Sequence, residues 1–154
     1  GEDLCHGYSV RYGINTISLR IATVMPPDSS YWIPALQNMD NPEFEFVPKV
    51  PLTRFMWQYV HSKDVAQAFA LSLLRLEKVN GGYNVFNIGA KDVFSTVPSL
   101  ELIARYYSDV PKIHDPAEFV TDKHRTLYDI TKAQEVLGYN PKFTWRDHFS
   151  FKDK

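Results

Sequence analysis

GEDLCHGYSVRYGINTISLRIATVM, residues 1–25, is the stretch that decides the fold. Its first half reads as a helix end. Leu4, Tyr8 and Arg11 recur at helical spacing over Glu2 to Tyr12, and Gly13 is a good stop just past the last turn. The second half, Asn15 to Val24, reads NTISLRIATV. It is rich in β-branched residues and carries apolar side chains on both faces, as a strand buried in a parallel sheet does. A helix, a short glycine turn and a buried strand make half of a β-α-β unit. The strand that would open that unit is not in the sequence. The chain is therefore expected to start partway through an α/β sheet.

Working outward, Met25 to Arg54 reads as a long loop crowded with Pro26, Pro27, Pro34, Pro42, Pro48 and Pro51. That density excludes regular helix and central strand, apart from a short helix around Tyr31 to Gln37. Phe55 to Val60 reads as a short strand. Ser62 fits an N-cap, Asp64 suits the first helical turn, and Val65, Phe69, Leu73 and Leu76 form one apolar stripe. Asn80-Gly81-Gly82 ends that helix, and Tyr83 to Ile88 is the next strand. Thr96 caps a helix with Pro98 in its first turn and with Leu100, Ile103, Ala104 and Tyr107 on its buried face. Val110 to Ile113 reads as an edge strand. Asp129 caps a last helix, Ile130 to Leu137, closed by Gly138, and Thr144 starts one more turn at TWRD. The order is that of a small mixed α/β domain.

Composition narrows the function classes. The chain has 154 residues, 44 % hydrophobic and 23 % charged, with a net charge of −1. That is a globular composition with enough length for a core. No basic stripe exists to neutralise phosphates in series, which argues against nucleic-acid binding. No apolar run approaches the ~18 residues that span a bilayer. Cys5 is the lone cysteine, read as a reduced, half-buried helix residue of a cytoplasmic protein. His114, His124 and His148 are not at ligand spacing with carboxylates, so no metal site is expected. A small-molecule or protein partner remains.

Several segments, taken in order, resemble one family. Gly1-Glu2, Tyr12-Gly13 and Leu19-Arg20 match the part of extended short-chain dehydrogenases that follows their Tyr-x-x-x-Lys helix. Tyr59, Val60, His61, Asp64, Val65 and Ala66 are similar to that family's aromatic-Val-His-x-x-Asp-Val-Ala segment. YNVFNIGAKD, PSLELIARYY, LYDITKAQEVLGYNP and TWRD follow in the family's order. The chain thus resembles the C-terminal half of an NAD-dependent epimerase/dehydratase. The resemblance implies an α/β fold: the last part of a Rossmann-type NAD(P)-binding domain (residues 1–25), then a small mixed α/β substrate-binding domain (26–154). It further implies NAD or NADP as cofactor of the parent enzyme, a nucleotide-sugar substrate and a parent homodimer.

By that resemblance, Ala22, Thr23, Val24 and Met25 would border the nicotinamide, and Arg54, Tyr59, His61 and Arg125 would border the substrate. Each has a blander reading. His61 is equally a histidine at a helix start satisfied by backbone, and Arg125 equally a surface arginine. Tyr59 and Trp57 lean toward core packing, Asp64 toward capping, and Arg20 toward a structural ion pair. Trp57 and Gln58 stand where sugar-nucleotide epimerases often carry Arg-Asp to grip phosphate, which weakens the case for a UDP-sugar. No G-x-G-x-x-G occurs. Tyr59 and Lys63 have Tyr-x-x-x-Lys spacing, but across a strand-to-helix turn rather than on one helix face. No catalytic residue is therefore assigned, and the 154 residues alone are expected to be inactive. The alternative is a non-catalytic NAD(P)-sensing or interaction module.

Overall fold

The computed structural model describes residues 1–26, 32–47, 50–77, 79, 82–110 and 112–148. In chain order the elements are α1 (Glu2–Tyr12), β1 (Thr16–Ile21), β2 (Thr23–Met25), α2 (Trp32–Gln37), β3 (Glu45–Val47), β4 (Val50–Pro51), β5 (Tyr59–His61), α3 (Ser62–Arg75), β6 (Tyr83–Ile88), α4 (Ser99–Tyr106), α5 (Pro116–Thr121) and α6 (Trp145–His148). A 3-10 turn, Leu52–Phe55, precedes β5, and a π-helical turn, Ala133–Leu137, lies between α5 and α6.

The expected strand after Gly13 is present but broken at Ala22. Its first part, β1, pairs in parallel with β6 from Thr16 against Tyr83 to Ile21 against Ile88. Its second part, β2, pairs in parallel with β5, Thr23 against Tyr59 and Met25 against His61. The Ala22 amide bonds Ile88 O at 2.9 Å, and the Ala90 amide bonds Tyr59 O at 2.8 Å. One strand therefore changes partners at Ala22 and stitches β6 to β5. Parallel pairing joined through a crossover helix, here α3 between β5 and β6, is the Rossmann-type α/β arrangement that the sequence led one to expect.

Gly13 and Gly138 end their helices in the left-handed region, at φ 66° and 72°. Asp129 heads the segment that runs into the π turn, its Oδ1 accepting from the Thr131 amide at 2.9 Å. This bond, more than any other cause, holds its carboxyl below the usual range. The Tyr139 amide reaches back to Ala133 O at 3.1 Å, so the π turn closes with a wide capping bond. The main core joins Ala22, Val60, Ala68, Phe86, Ile88, Ile130, Ala133, Leu137 and Tyr139.

The structure corrects several expectations. In α3 the inward face is Asp64, Ala68 and Ser72, while Phe69 is 52 % exposed and Leu73 77 % exposed. Small side chains let the helix approach the sheet and the π turn closely; Val65 and Leu71 pack partly buried against the core, and Phe69 and Leu73 are left outside. Asp64 does not cap its own helix, since its carboxylate reaches the chain tail. α4 starts at Ser99 rather than at Thr96, whose hydroxyl is bound to Asp40, and Ala104 is exposed. The proline-rich stretch holds a short antiparallel pair, β3 with β4, ending at Pro51 where a lost N–H is tolerated. Val110, Lys112 and Ile113 form no strand. α5, headed by Asp115 as N-cap and Pro116 in its first turn, was not expected. Tyr31, Asn80 and Gly81, assigned above to a helix start and a breaker, lie outside the described residues.

Candidate functional site

The β2·β5 pair brings two groups of expected site residues together. Side chains alternate along a strand, so Thr23 and Met25 share a face and Val24 takes the other. Thr23, Met25 and Tyr59 line one shallow apolar depression together with Leu52, Phe55 and Phe94. Ala22 and Met25 are buried in the core, and Val24 is about half exposed at 45 %. In α/β sheets ligands bind outside the carboxyl ends of parallel strands, and Met25 and His61 are the last residues of their strands.

Tyr59 is 2 % exposed. Its hydroxyl donates to Asp92 Oδ1 at 2.6 Å and accepts from the Trp145 amide at 3.0 Å. Asp92 Oδ2 accepts from Thr144 Oγ1 at 2.7 Å and is paired with Arg146. Burial pushes the Tyr59 phenol well above the ordinary tyrosine value, and the Asp92 charge adds to the rise. The phenol therefore stays protonated at neutral pH and locks β5 to the chain tail. Lys63 places its ammonium over the Phe143 ring, 5.4 Å from its centroid. Tyr59 points to Asp92 instead, so the Tyr59/Lys63 spacing assembles no acid–base pair here.

His61 follows the backbone-satisfied reading. Its Nδ1 accepts from the Lys63 amide at 3.1 Å, and its ring stacks on Phe143 with centroids 4.2 Å apart. Arg20 is an ion-pair partner, clamping Glu2 with two bonds of 2.7 Å at the surface and lowering the Glu2 pKa. Trp57 is buried, its indole donating to Met39 O at 2.9 Å. Both Met56 and Trp57 sit in the left-handed region, at φ 51° and 53°. This is uncommon for non-glycine residues and is characteristic of sites held by their surroundings.

Beyond this turn lies a cavity of about 510 Å³, within the range of small-molecule sites. Met56, Ile103, Phe119 and Leu127 give it apolar wall, while Lys112, His114, Arg125 and Asp129 give it polar groups. Arg125 Nη2 holds Glu118 at 2.9 Å, another lining residue. Arg54, exposed on the 3-10 turn, does not line this cavity, although Met56 two residues later does. The structure thus unites Thr23, Met25 and Tyr59, places Arg125 in a separate, larger cavity, and leaves Arg54 outside both. Sequence reading missed Lys112, His114, Glu118 and Phe119. The Asp115-Pro116 helix start was the one local signal for that wall.

Comparison with known proteins fits this architecture. No family model matches the chain. It is 29 % identical over 147 residues to an uncharacterized protein of Methanocaldococcus jannaschii, covering 93 % of this chain and 43 % of the relative. Among solved structures it is similar to a UDP-galactose 4-epimerase (20 % identity, TM-score 0.50) and to the UDP-N-acetylglucosamine 4-epimerase of Bacillus cereus (19 %, TM-score 0.50). Each likeness covers 93 % of this chain and 45 % of the solved one. The chain spans less than half the length of the proteins it matches. At these identities the likeness establishes the fold: the chain has the Rossmann-type α/β architecture of the C-terminal portion of those epimerases.

Proposed function

We propose that this chain is the substrate-binding part of an NAD(P)-dependent nucleotide-sugar epimerase, dehydratase or reductase. In this reading residues 1–25 are the last helix and strand of the dinucleotide-binding domain, and 26–154 form the substrate domain. The observation that carries it is the β2·β5 pair, which sets Thr23 and Met25 beside Tyr59 at strand ends, next to a turn leading into the large cavity. That the structural relatives bear the names of UDP-sugar 4-epimerases supports the substrate class.

In this reading the cofactor meets these residues only along its nicotinamide edge, at Thr23 and Val24, since Ala22 and Met25 are buried. No glycine-rich turn opens a helix in the 154 residues, so the dinucleotide phosphates have no cradle among them. Bound cofactor would accept and return hydride; what these residues contribute is the wall against which it and the sugar meet. Arg125 is the cation suited to a diphosphate in the large cavity, and His61 and Tyr59 hold the β5 end in place.

Isothermal titration of the chain with UDP-glucose and UDP-N-acetylglucosamine tests this. Saturable binding is expected, weakened about tenfold or more in Arg125→Ala, as loss of a charge-assisted contact requires. Absence of binding at millimolar nucleotide sugar would overturn the reading. Arg54→Ala tests the second arginine, and unchanged affinity removes it from the site. Turnover by the 154 residues alone is expected to be nil.

A further inference from the structure

A second cavity, of about 340 Å³, lies between the turn after β6, the loop before Arg125 and the chain tail. It shares no lining residue with the larger one. Lys91, Asp92, Asp122, His124, Lys142 and Arg146 supply its charged and titratable groups. The acids are already engaged. Asp92 accepts from Tyr59 and Thr144 and is paired with Arg146, and Asp122 Oδ1 accepts from the His124 amide at 3.0 Å. Arg146 is engaged too, donating to Asp92, to Val93 O and, at 2.6 Å, to Ser95 O. Asp92 is balanced by Arg146, and Asp122 keeps its charge, which Lys91 and Lys142 together outweigh. Lys91 and Lys142 line the cavity from separate segments and form no ion pair among the described residues. His124 lies on the third segment, and its Nδ1 is the one buried side-chain polar atom without a hydrogen-bond partner among the described residues. That atom is closed off from the cavity, so His124 contributes wall there, and the free cations at the cavity are the two lysines.

We propose that this cavity is an anion site for a phosphate group, held by the Lys91 and Lys142 ammonium groups, with His124 on its wall. Two lysines on separate walls, neither in an ion pair among the described residues, suit a compact dianion. Lysine binds phosphate as a compact point charge, and the guanidinium at hand, Arg146, is already occupied. The inference does not depend on the nucleotide-sugar reading: phosphate could saturate this cavity whether or not a UDP-sugar binds the other.

The test is NMR titration of the whole chain with inorganic phosphate at constant ionic strength, following the His124 ring and the Lys91 and Lys142 amides, with acetate and chloride as controls. Saturable shifts confined to these residues are expected with phosphate alone. In the Lys91→Gln/Lys142→Gln double variant, the concentration for half-saturation should rise about tenfold or more. Both changes are on exposed side chains, so folding should be kept. Equal response to acetate or chloride, or unchanged phosphate affinity in the double variant, would overturn the proposal.

Discussion

Replacing Asp64 by alanine should unfasten the chain tail from α3. Asp64 is 1 % exposed. Its Oδ1 accepts from the Lys142 amide at 3.0 Å and its Oδ2 from the Phe143 amide at 3.1 Å. A hydrogen bond to a charged acceptor contributes about 1.5–3 kcal/mol. Lys142 is exposed, so water can replace part of its bond in the variant. The lower part of the combined range, about 3–4 kcal/mol, is therefore expected. Against a domain stability of roughly 5–15 kcal/mol this is a large share. In urea, with a slope of about 1.5 kcal/mol/M, the midpoint should fall by about 2 M with the slope unchanged. Local and global effects separate by hydrogen exchange. The Lys142 and Phe143 amides should lose about a hundredfold in protection, beyond what global destabilisation alone gives other core amides. Asp64→Asn keeps the shape but turns one acceptor into a donor facing an N–H, and should fall between wild type and alanine. A midpoint drop under about 0.5 M in Asp64→Ala, or protection at Lys142 and Phe143 unchanged relative to the core, would refute the clamp.

The buried phenols set an alkaline limit. Tyr59 and Tyr139 both have pKa values raised chiefly by burial. The folded state therefore prefers the protonated phenol, and stability is fully present below the ordinary value of about 10 and is lost as pH rises from there toward the raised folded values. Urea midpoints should fall above that pH, and Tyr139→Phe, which loses a 2.9 Å bond to Gly89 O, should flatten the fall while lowering the neutral-pH midpoint. Gly138→Ala forces a methyl group into φ 72° and brings a Cβ to 3.2 Å from Arg75 Nη2. A loss of about 1 kcal/mol is expected by urea denaturation, and an unchanged midpoint would show that the helix ends differently.

Much of the fold could be read in the sequence because its signals are local. Gly13 and Gly138 occupy left-handed turns that few other residues adopt, and Asp129 heads its segment through its own Oδ1. YNVFNI carried its strand in residue type alone. The failures share a cause. The stripe of Val65, Phe69, Leu73 and Leu76 has helical spacing, but which side of α3 is buried depends on what packs there, and Ala68 and Ser72 fit where Leu73 cannot. The break at Ala22 comes from two partner strands more than thirty residues away, β5 and β6, so nothing within NTISLRIATV announces it. Of the residues expected at a site, Thr23, Met25 and Tyr59 meet because β2 pairs with β5. Arg125 faces a cavity whose other walls, from Met56 to Asp129, are assembled only by the tertiary fold.

The loop from Asp122 to Thr126 is a partition one chain thick. Asp122 and His124 face the smaller cavity, and Arg125 and Thr126 the larger. Its backbone is pinned by bonds from the Val93 amide to His124 O at 2.9 Å and from the Thr126 amide to Lys91 O at 2.7 Å. A substitution that reshapes one chamber therefore strains hydrogen bonds that also define the other. Homologous sequences should accordingly show linked replacements at positions 91, 124 and 125, because neither chamber can drift by itself.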